Sequence, residues 1–532
     1  MSSTSTHSSR VASMASGTLV SRLTGLLRVL VLAWVLGFTP IADSFNLANT
    51  VPNMLFDLVL GGIAGATFIP VFVERLTLDG ERKAWKSISS VVTWAFILLV
   101  VATVLAWFCA PWIVDGFTAF RHSSTKETAA LLLQQRAVAT QLLRWFVPQI
   151  FFYGAIGIAT SLLNIRHRFG VAAWVPVANN IVCIIVLIWF HLVDPTPSIG
   201  ALNGSRDLMW LGLGTTLGVA IQFICLFPSL FRSDLWRLTF RTNVRDPAVR
   251  AVGHLGSWTL LVVLLNQLSL YIVLAFAFGI GGNGPVSAYT YGWSFMQMPY
   301  AVVVVSVLGV LTPQLAGLST AKDYAGLTTR LRFGLRQSLV IIIPCTLVLL
   351  VLAQPIAAIL LNHVNARHTI AAGTVLAVLA AGLPGFTIFQ LCVRGLQSMQ
   401  RAREVFYLYF LQNGLTVVLC FALGRHSIAG LTASVSIAYS AAAIFALYAL
   451  RRHDVFINAE IWSRHVRRSL YASLAAALVM AFAYAAPTWD HGLGLIARFL
   501  FAAVLGLVAY TVVVMLQQRR VRRVGQNDVR LN

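Results

Sequence analysis

Apolar residues dominate the chain in long runs, each about as long as a helix that crosses a membrane. An α-helix needs about 20 apolar residues to cross the hydrocarbon of a bilayer. Membrane strands are a poor alternative, because they alternate polar and apolar residues and these runs are apolar at successive positions. The pattern predicts an all-α polytopic membrane protein with about 14 transmembrane helices. The predicted spans cover approximately residues 13–37, 44–73, 88–114, 138–163, 171–192, 208–230, 251–279, 286–316, 334–361, 370–399, 404–423, 427–450, 468–486 and 493–517.

The composition supports this assignment. Of 532 residues, 58% are hydrophobic and only 11% are charged, against roughly 25% charged residues in soluble domains. That is too few charges to cover a water-soluble surface. The formal net charge of +22 raises the question of nucleic acid binding. The basic residues, however, fall in short clusters between apolar runs rather than on one solvated face, so no nucleic acid partner is expected.

Motifs for cofactors are absent from the sequence. The six cysteines lie in or beside apolar runs without C-x-x-C spacing, so they are interpreted as small hydrophobic residues. No phosphate-binding loop of the G-x-x-x-x-G-K-[ST] type occurs, which leaves an ion gradient or the membrane potential to drive any transport. No cofactor or metal is expected. The polar N-terminus lacks a small-residue cleavage site, so no cleaved signal peptide is predicted.

Basic residues predict the orientation in the membrane, because Lys and Arg in short loops stay on the cytoplasmic side. With a cytoplasmic N-terminus, the two tails and the even-numbered loops hold 29 of the 39 Lys and Arg residues, when Arg336, Arg394 and Arg468 at the adjoining span ends are counted with those loops. The odd-numbered loops hold six, and the other four lie within the spans. Both termini are therefore predicted to be cytoplasmic. The basic C-terminal tail is interpreted as a topology anchor, whose charges would also attract anionic lipid headgroups.

A weak internal repeat relates residues 147–180 to residues 383–413. Each stretch has a proline-containing apolar helix, a basic turn, and a second helix with an amide a little over one turn in. The repeat predicts two like-oriented six-helix lobes around a central cavity, at residues 1–231 and 232–452. Residues 453–532 then form a last helix pair and a basic tail. Chance similarity between two apolar hairpins is the alternative.

Charged residues in the first two spans are the candidate functional groups, because charges inside a membrane are costly unless they face water or a partner. Arg22 and Arg28 share one broad side of the first helix, although Arg22 is also close enough to the end to reach the headgroups. Asp43 is interpreted as the partner of a cavity arginine, a cation ligand or an ordinary interfacial residue. Asp57 is either buried against an arginine or part of an ion or proton relay.

Two spans also contain bends and polar side chains. Proline and glycine in the second span, from Pro52-Asn53 to Pro70, indicate a bent helix. The eighth span contains a cluster of polar and aromatic residues at 291–299, which includes Gln297. This cluster is either a hydrogen-bonding cavity wall or a helix–helix contact.

Four motifs of the first seventy residues resemble the N-terminal signature of the MurJ/MviN family of lipid II flippases. They are Ser21-Arg22-x-x-Gly25-x-x-Arg28, Ala42-Asp43-x-Phe45, Pro52-Asn53 and Phe68-Ile69-Pro70. The resemblance extends over nearly the whole chain, although beyond these motifs it is mainly one of topology. It implies the fold of the multidrug/oligosaccharidyl-lipid/polysaccharide exporter superfamily and a transporter rather than an enzyme. The implied location is the bacterial cytoplasmic (inner) membrane.

The resemblance also implies a substrate, partners and site residues. The substrate is lipid II, the undecaprenyl-diphosphate-linked precursor of peptidoglycan, and the further partners are membrane lipids and the cell-wall synthesis machinery. Arg22 and Arg28 match the family's cavity arginines, and Asp43 matches its acidic position. Asn53 and Gln297 complete the expected substrate-binding set. Guanidinium groups suit this role because their fork of donors matches a diphosphate.

Two departures and several alternatives remain open at this stage. Where the family pattern has further arginines in the second and eighth spans, this chain has Phe56-Asp57 and Ser294. The alternatives within transport are a flippase for another polyprenyl-linked glycan and a drug or cation antiporter. A membrane glycosyltransferase would require paired carboxylates or a large outer loop, and the odd-numbered loops carry only scattered acidic residues. A non-transporting scaffold of the cell-wall machinery is the third class.

Overall fold

The computed structural model is helical in all of its regular secondary structure, within the residues that it describes. The described residues are 2–58, 72, 81–121, 125–165, 169–232, 238–243, 246–249, 257–281, 284–360, 366–485 and 493–530. The all-α fold predicted from the apolar runs is confirmed. The glycine-rich and proline-containing part of the second span, at 59–71, lies outside the described residues.

The chain forms two compact units, Met1–Ser287 and Ala288–Asn532. The helices that begin in the first unit are α1 (Ser2–Leu36), α2 (Pro40–Asp57), α3 (Glu81–Phe117), α4 (Lys126–Phe146), α5 (Pro148–Ile165), α6 (Phe169–Val193), α7 (Ile199–Leu202), α8 (Arg206–Ile224), α9 (Phe227–Phe231), α10 (Ser257–Gly279) and α11 (Pro285–Pro299). The last of these continues into the second unit. The lobe boundaries predicted from the repeat stay a prediction.

The second unit contains the remaining helices. They are α12 (Val305–Thr320), α13 (Tyr324–Val351), α14 (Ala353–Leu360), α15 (Ala366–Ser398), α16 (Ala402–Leu419), α17 (Ile428–Arg451), α18 (Asn458–Ile461), α19 (Arg464–Ala485) and α20 (Leu493–Arg530). Pro299 is followed by a π-helical turn at Tyr300–Val304, which joins α11 to α12. A proline lacks the N–H that would continue the regular ladder, so a change of helical geometry at this point has a local cause.

Thirteen helices within the described residues are long and apolar enough to cross a membrane. They correspond, in order, to the first predicted span and to the third through the fourteenth. The second predicted span, at residues 44–73, begins within α2. Most of its second half lies outside the described residues. The chain is therefore a polytopic membrane protein, as its apolar runs predict.

The turn from α1 to α2 shows how local sequence sets the helix boundaries. Gly37 follows the last residue of α1 with a φ of +61°, a conformation that glycine adopts without steric cost. Thr39 then caps α2, because its hydroxyl accepts a hydrogen bond from the Ala42 N–H at 3.2 Å. Pro40 occupies the first helical position, where no N–H is needed. These residues place Asp43 in the first turn of α2.

The last two long helices form a closely packed pair in the second unit. Met480 of α19 belongs to a buried cluster with Ala502 of α20 and Leu352. A Cβ atom added at Gly506 would overlap the Met480 Cγ, so glycine at this position permits the observed close approach. Of the apolar window of α20, only 11% is buried within the protein. Its outer face is consequently a lipid-facing surface.

Candidate substrate-binding site in the first unit

Helices α1 and α6 hold the two candidate arginines through close packing and amide hydrogen bonds. Asn180 of α6 donates from Nδ2 to the Ser21 carbonyl at 3.2 Å and to the Thr24 Oγ1 at 3.0 Å. Gly17 brings α1 against the ring of Trp174, which would lie 2.6 Å from an added Cβ atom. These contacts fix the rotation of α1 relative to α6. Hydrogen bonds of this kind stabilise helix pairs in membranes by about 1 kcal/mol.

The two arginines have different environments on α1. Arg22 is exposed, whereas Arg28 is half-buried. Arg28 interacts with the thiol of Cys183 on α6. The same thiol donates to the Asn179 Oδ1 at 3.3 Å. Of the two arginines, Arg28 is therefore the one that lies beside polar side chains of α6.

Asp57 ends the described part of α2, and its carboxylate faces α10. The Gln267 Nε2 donates to the Asp57 Oδ2 at 3.3 Å. The preceding residue, Phe56, packs its ring against Tyr153 of α5 with 4.7 Å between the ring centroids. Phe56 and Asp57, the departure from the family pattern in the second span, thus both contact neighbouring helices of the first unit.

Tyr153 connects Arg28 with Asp57. Its side chain is buried, and its hydroxyl interacts with the Asn179 side chain. The hydroxyl also lies within electrostatic range of the Arg28 guanidinium and the Asp57 carboxylate. Five helices of the first unit therefore contribute to one polar group of side chains, which we call the Arg28 cluster. Its members are Arg28, Asp57, Tyr153, Asn179, Cys183 and Gln267.

Asp43 occupies a different place, where it caps another helix. Its side chain is fully buried. Its Oδ1 accepts hydrogen bonds from the Ser287 N–H at 2.9 Å and from the Ser287 hydroxyl at 2.7 Å. Its Oδ2 accepts from the Gly284 N–H at 3.1 Å. These donors lie in the first turn of α11 and in the residue immediately before it, at the positive dipole end of the helix, which also favours a carboxylate.

The surroundings of Asp43 provide further hydrogen bonds and one cation. Asn46, one turn later on α2, donates to the Ser287 hydroxyl at 3.0 Å. The guanidinium of Arg121 interacts electrostatically with Asp43 and donates to the Gln135 Oε1 at 3.1 Å. Burial lowers the pKa of Arg121, and the Asp43 carboxylate opposes that change. Both carboxylate oxygens of Asp43 thus accept hydrogen bonds, from Gly284 and from Ser287.

The remaining two candidate residues lie on α2 and on the part of α11 that belongs to the second unit. The Asn53 Nδ2 donates to the Asn49 carbonyl at 2.6 Å, one turn back in its own helix. Gln297 is half-buried and lies on α11, shortly before the π-helical turn. Asp43 is fourteen residues from Asp57 along α2, a separation of about 21 Å. Arg28 and Asp57 are thus related only through Tyr153, which lies within electrostatic range of each.

Sequence reasoning missed three members of the cluster. Cys183 was interpreted as a small hydrophobic residue, and Tyr153 and Gln267 drew no interpretation. A single amide or hydroxyl inside an apolar span is the only available signal, and many such residues serve as helix–helix contacts. No group of three His, Cys, Asp or Glu side chains within the described ranges could hold a metal ion.

The helices define a class of protein, a polytopic all-α membrane protein. The first comparison, with solved structures, supports this fold. The chain resembles "Lipid II flippase MurJ, inward closed conformation" with a TM-score of 0.75 and 20% identity, covering 96% of this chain and 99% of the other. It also resembles an inward-facing multidrug resistance transporter of the MATE family, with a TM-score of 0.65 and 14% identity over 84% of this chain and 99% of the other.

Sequence comparison assigns the family. Residues 32–501 match the family described as "Lipid II flippase MurJ", so the chain belongs to that family. The lipid II flippase MurJ of Burkholderia cenocepacia is 26% identical over 480 residues, which are 87% of each chain. The probable lipid II flippase MurJ of Rhizobium meliloti is 26% identical over 90% of this chain and 86% of the relative. The resemblance seen in the N-terminal motifs is confirmed, as is the prediction of a transporter rather than an enzyme.

Proposed function

We propose that the chain is a flippase for lipid II, which it moves from the cytoplasmic to the outer leaflet of the bacterial cytoplasmic membrane by alternating access. Membership of the family and the names of its relatives support this substrate. The bilayer defines the physical task. The polar glycopeptide diphosphate cannot cross hydrocarbon at a useful rate, whereas the polyprenyl tail is stable there. The protein must therefore shelter the headgroup while the tail stays in lipid.

The diphosphate is bound by Arg28 together with Arg22. The observation that carries this assignment is that Arg28 is half-buried and interacts with the polar side chains of Cys183 and Tyr153. A guanidinium presents several donors to phosphate oxygens. Arg22, which is exposed on the same helix, supplies a second cation. Asn53 and Gln297 are assigned hydrogen bonds to the sugar or peptide part of the headgroup.

Asp43 has a supporting role in this proposal. Its oxygens accept three hydrogen bonds from the start of α11, and a buried carboxylate would repel a diphosphate. Asp43 therefore acts by holding α2 to α11 rather than by direct contact with the substrate. The proposal further places both termini in the cytoplasm and makes the cell-wall synthesis machinery a functional partner.

Complementation tests the proposed function. A bacterium depleted of its own lipid II flippase receives the wild-type gene or a variant, and survival and cell shape are measured. Wild type is expected to rescue growth, whereas Arg28→Ala and Arg22→Ala are expected to lose rescue. Arg206→Ala is the matched control, because Arg206 is exposed at the start of α8 and its removal is expected to leave rescue intact.

The double variant Arg22→Ala/Arg28→Ala decides between the proposal and its alternatives. If the double variant supports growth as well as wild type at equal protein level, binding of the diphosphate by these arginines is excluded. If wild type itself gives no rescue, the chain does not flip lipid II in that host, and the proposed substrate is wrong.

A second candidate is a flippase for another polyprenyl-linked glycan. The observation that favours it is Phe56-Asp57, which replaces a cation of the family pattern with an aromatic ring and an anion. Proteoliposomes loaded with lipid II or with an undecaprenyl-diphosphate glycan that lacks the pentapeptide distinguish the two. The main proposal requires faster translocation of lipid II, and the second candidate requires the reverse.

A further inference from the structure

A non-helical segment between α9 and α10 runs along one face of α3. The Thr239 N–H donates to the Ser89 hydroxyl at 3.1 Å, and the Arg241 N–H donates to the Thr93 hydroxyl at 3.1 Å. Ser89 and Thr93 are buried, and they lie one turn apart on the same face of α3. Residues 238–243, which we call the strap, are therefore fixed side by side with α3.

A groove of about 530 Å³ lies between the strap and α3. Its walls are mainly apolar, and its apolar lining includes Phe96, Ile97, Val100 and Val101 of α3 and Leu238 of the strap. A second cavity of about 200 Å³ shares Phe96 and Leu238 with the groove and reaches α5, α8 and α9. Concave, mainly apolar spaces of this size are typical of sites for small apolar ligands.

The groove crosses from the headgroup level into the hydrocarbon. Residues 94–114 of α3 carry no charge, and as a helix they extend about 30 Å, which is the thickness of the hydrocarbon. Ser89 and Thr93 precede this stretch, whereas Val100 and Val101 lie within it. Because Val100 and Val101 are exposed, this part of the groove is open to the lipid around α3. A hydrocarbon chain can therefore enter the groove from the bilayer.

Basic side chains lie beside the polar end of the groove. Arg241 is exposed on the strap, and its backbone is level with Thr93. Lys86 is exposed three residues before Ser89, on the same face of α3. Cations at headgroup level attract lipid phosphate. The groove thus presents cations at headgroup level and apolar walls deeper in the bilayer, which is the order of parts in an anionic phospholipid.

We propose that this groove is a binding site for one anionic phospholipid, whose acyl chain lies against α3 at residues 96–101 and whose phosphate is bound by Arg241. The lipid belongs to the leaflet in which α3 begins, which is the cytoplasmic leaflet in the proposed orientation. A chain gains little hydrophobic free energy by moving from lipid to an apolar wall, since both are apolar. The charge of Arg241 and the shape of the groove therefore distinguish this site from the remaining lipid-facing surface.

Site-resolved photo-crosslinking tests the proposal. The probe is phosphatidylglycerol with a diazirine on one acyl chain, added at increasing mole fraction to the full-length protein in phosphatidylcholine nanodiscs. Adducts on residues 96–101 and on the strap are expected to saturate at low mole fraction, as they do at a discrete site. Adducts on the lipid-facing residues 504–508 of α20 are the internal reference. They are expected to rise in proportion to the mole fraction.

Variants of the apolar walls test the place of the acyl chain. Ile97→Trp and Val100→Trp each put a large ring into the groove, and both are expected to abolish saturable crosslinking at the strap. Leu507→Trp puts the same ring on the exposed face of α20, and it is expected to leave crosslinking at the strap unchanged. Saturation that persists in both groove variants would overturn the proposed site.

A charge variant tests the phosphate contact. Arg241→Gln is expected to raise the half-saturating mole fraction about fivefold, which is the effect of one basic residue near a lipid surface. Arg330→Gln removes an exposed cation from α13 instead, and no shift is expected. If Arg241→Gln also leaves the half-saturating mole fraction unchanged, Arg241 does not bind the phosphate and the proposal fails.

Two further outcomes would exclude the phospholipid site. If adducts at the groove rise in proportion to the mole fraction, as on α20, the groove holds only ordinary boundary lipid. If lipid II with a photoreactive polyprenyl chain saturates the groove at a lower mole fraction than phosphatidylglycerol, the occupant is the polyprenyl chain. Neither outcome bears on binding of the diphosphate by Arg22 and Arg28, which complementation tests separately.

Discussion

The carboxylate of Asp43 accepts both the backbone N–H and the hydroxyl of Ser287, at 2.9 and 2.7 Å. With the Gly284 N–H at 3.1 Å, these donors include two of the backbone groups that every helix leaves unpaired at its start. A side chain from α2 thus caps α11, which begins more than 200 residues later in the sequence. Because Asp43 is fully buried, water cannot replace it.

We predict that Asp43→Ala lowers the free energy of unfolding by about 3 kcal/mol, because it leaves buried N–H groups without an acceptor. Asp43→Asn is expected to cost less, since its amide oxygen still accepts one of these bonds. Thermal unfolding of the purified protein in detergent measures both. Glu127→Ala, in the exposed first turn of α4, is the control and is expected to unfold near wild type. An unchanged midpoint in Asp43→Ala would show that the cap contributes nothing.

Asn180 offers a second test, since it alone joins the described α6 to both Ser21 and Thr24 by side-chain hydrogen bonds. Asn180→Ala is expected to cost about 1 kcal/mol and to reduce complementation, because α1 then loses its fixed rotation beside Arg22 and Arg28. Asn203→Ala is the matched control. The Asn203 side chain is exposed and accepts from Gln141, and full complementation is expected. Equal loss in the two variants would contradict a specific role for Asn180.

The sequence predicts the helices well because each apolar run must satisfy its own backbone in lipid, which requires no knowledge of its neighbours. Thirteen described helices match predicted spans. Arg22 and Arg28 could be selected as candidates in the same way, because a charge inside a span is costly unless the fold provides a partner, and their role in substrate binding stays a prediction. These are properties of single segments.

Contacts between segments could not be predicted in this way. Asp43 was identified as a functional candidate, yet its three donors come from residues 284–287, and nothing in the sequence near Asp43 indicates them. The same holds for Gln267, whose amide reaches Asp57 across 210 positions of the chain. A pairing of this kind depends on the three-dimensional packing of helices, which one sequence without relatives does not reveal.

The close approach of α19 and α20 depends on Gly506. The side chain of Met480 packs against Gly506, and its Cγ would overlap a Cβ atom added at that position. Gly506→Ala is expected to destabilise the protein by about 1–3 kcal/mol, because the helices must move apart or Met480 must change rotamer. Gly317→Ala is the control, since an added Cβ atom there meets nothing within 4 Å. Thermal unfolding in detergent measures both variants. Equal unfolding midpoints for Gly506→Ala and Gly317→Ala would contradict this packing.

The distribution of basic residues gives a prediction for topology. With 29 of 39 Lys and Arg residues in the tails, the even-numbered loops and the span ends that adjoin those loops, both termini are expected in the cytoplasm. Alkaline phosphatase, which is active only outside the cytoplasm, is fused after Arg530 or inserted at Gly204, between the short helix α7 and α8. Activity is expected at Gly204 and not at Arg530. A cytoplasmic fluorescent protein fused at Arg530 is the reciprocal control and is expected to fluoresce. Phosphatase activity at Arg530 with none at Gly204 would reverse the orientation, and the direction of transport would then need a different assignment.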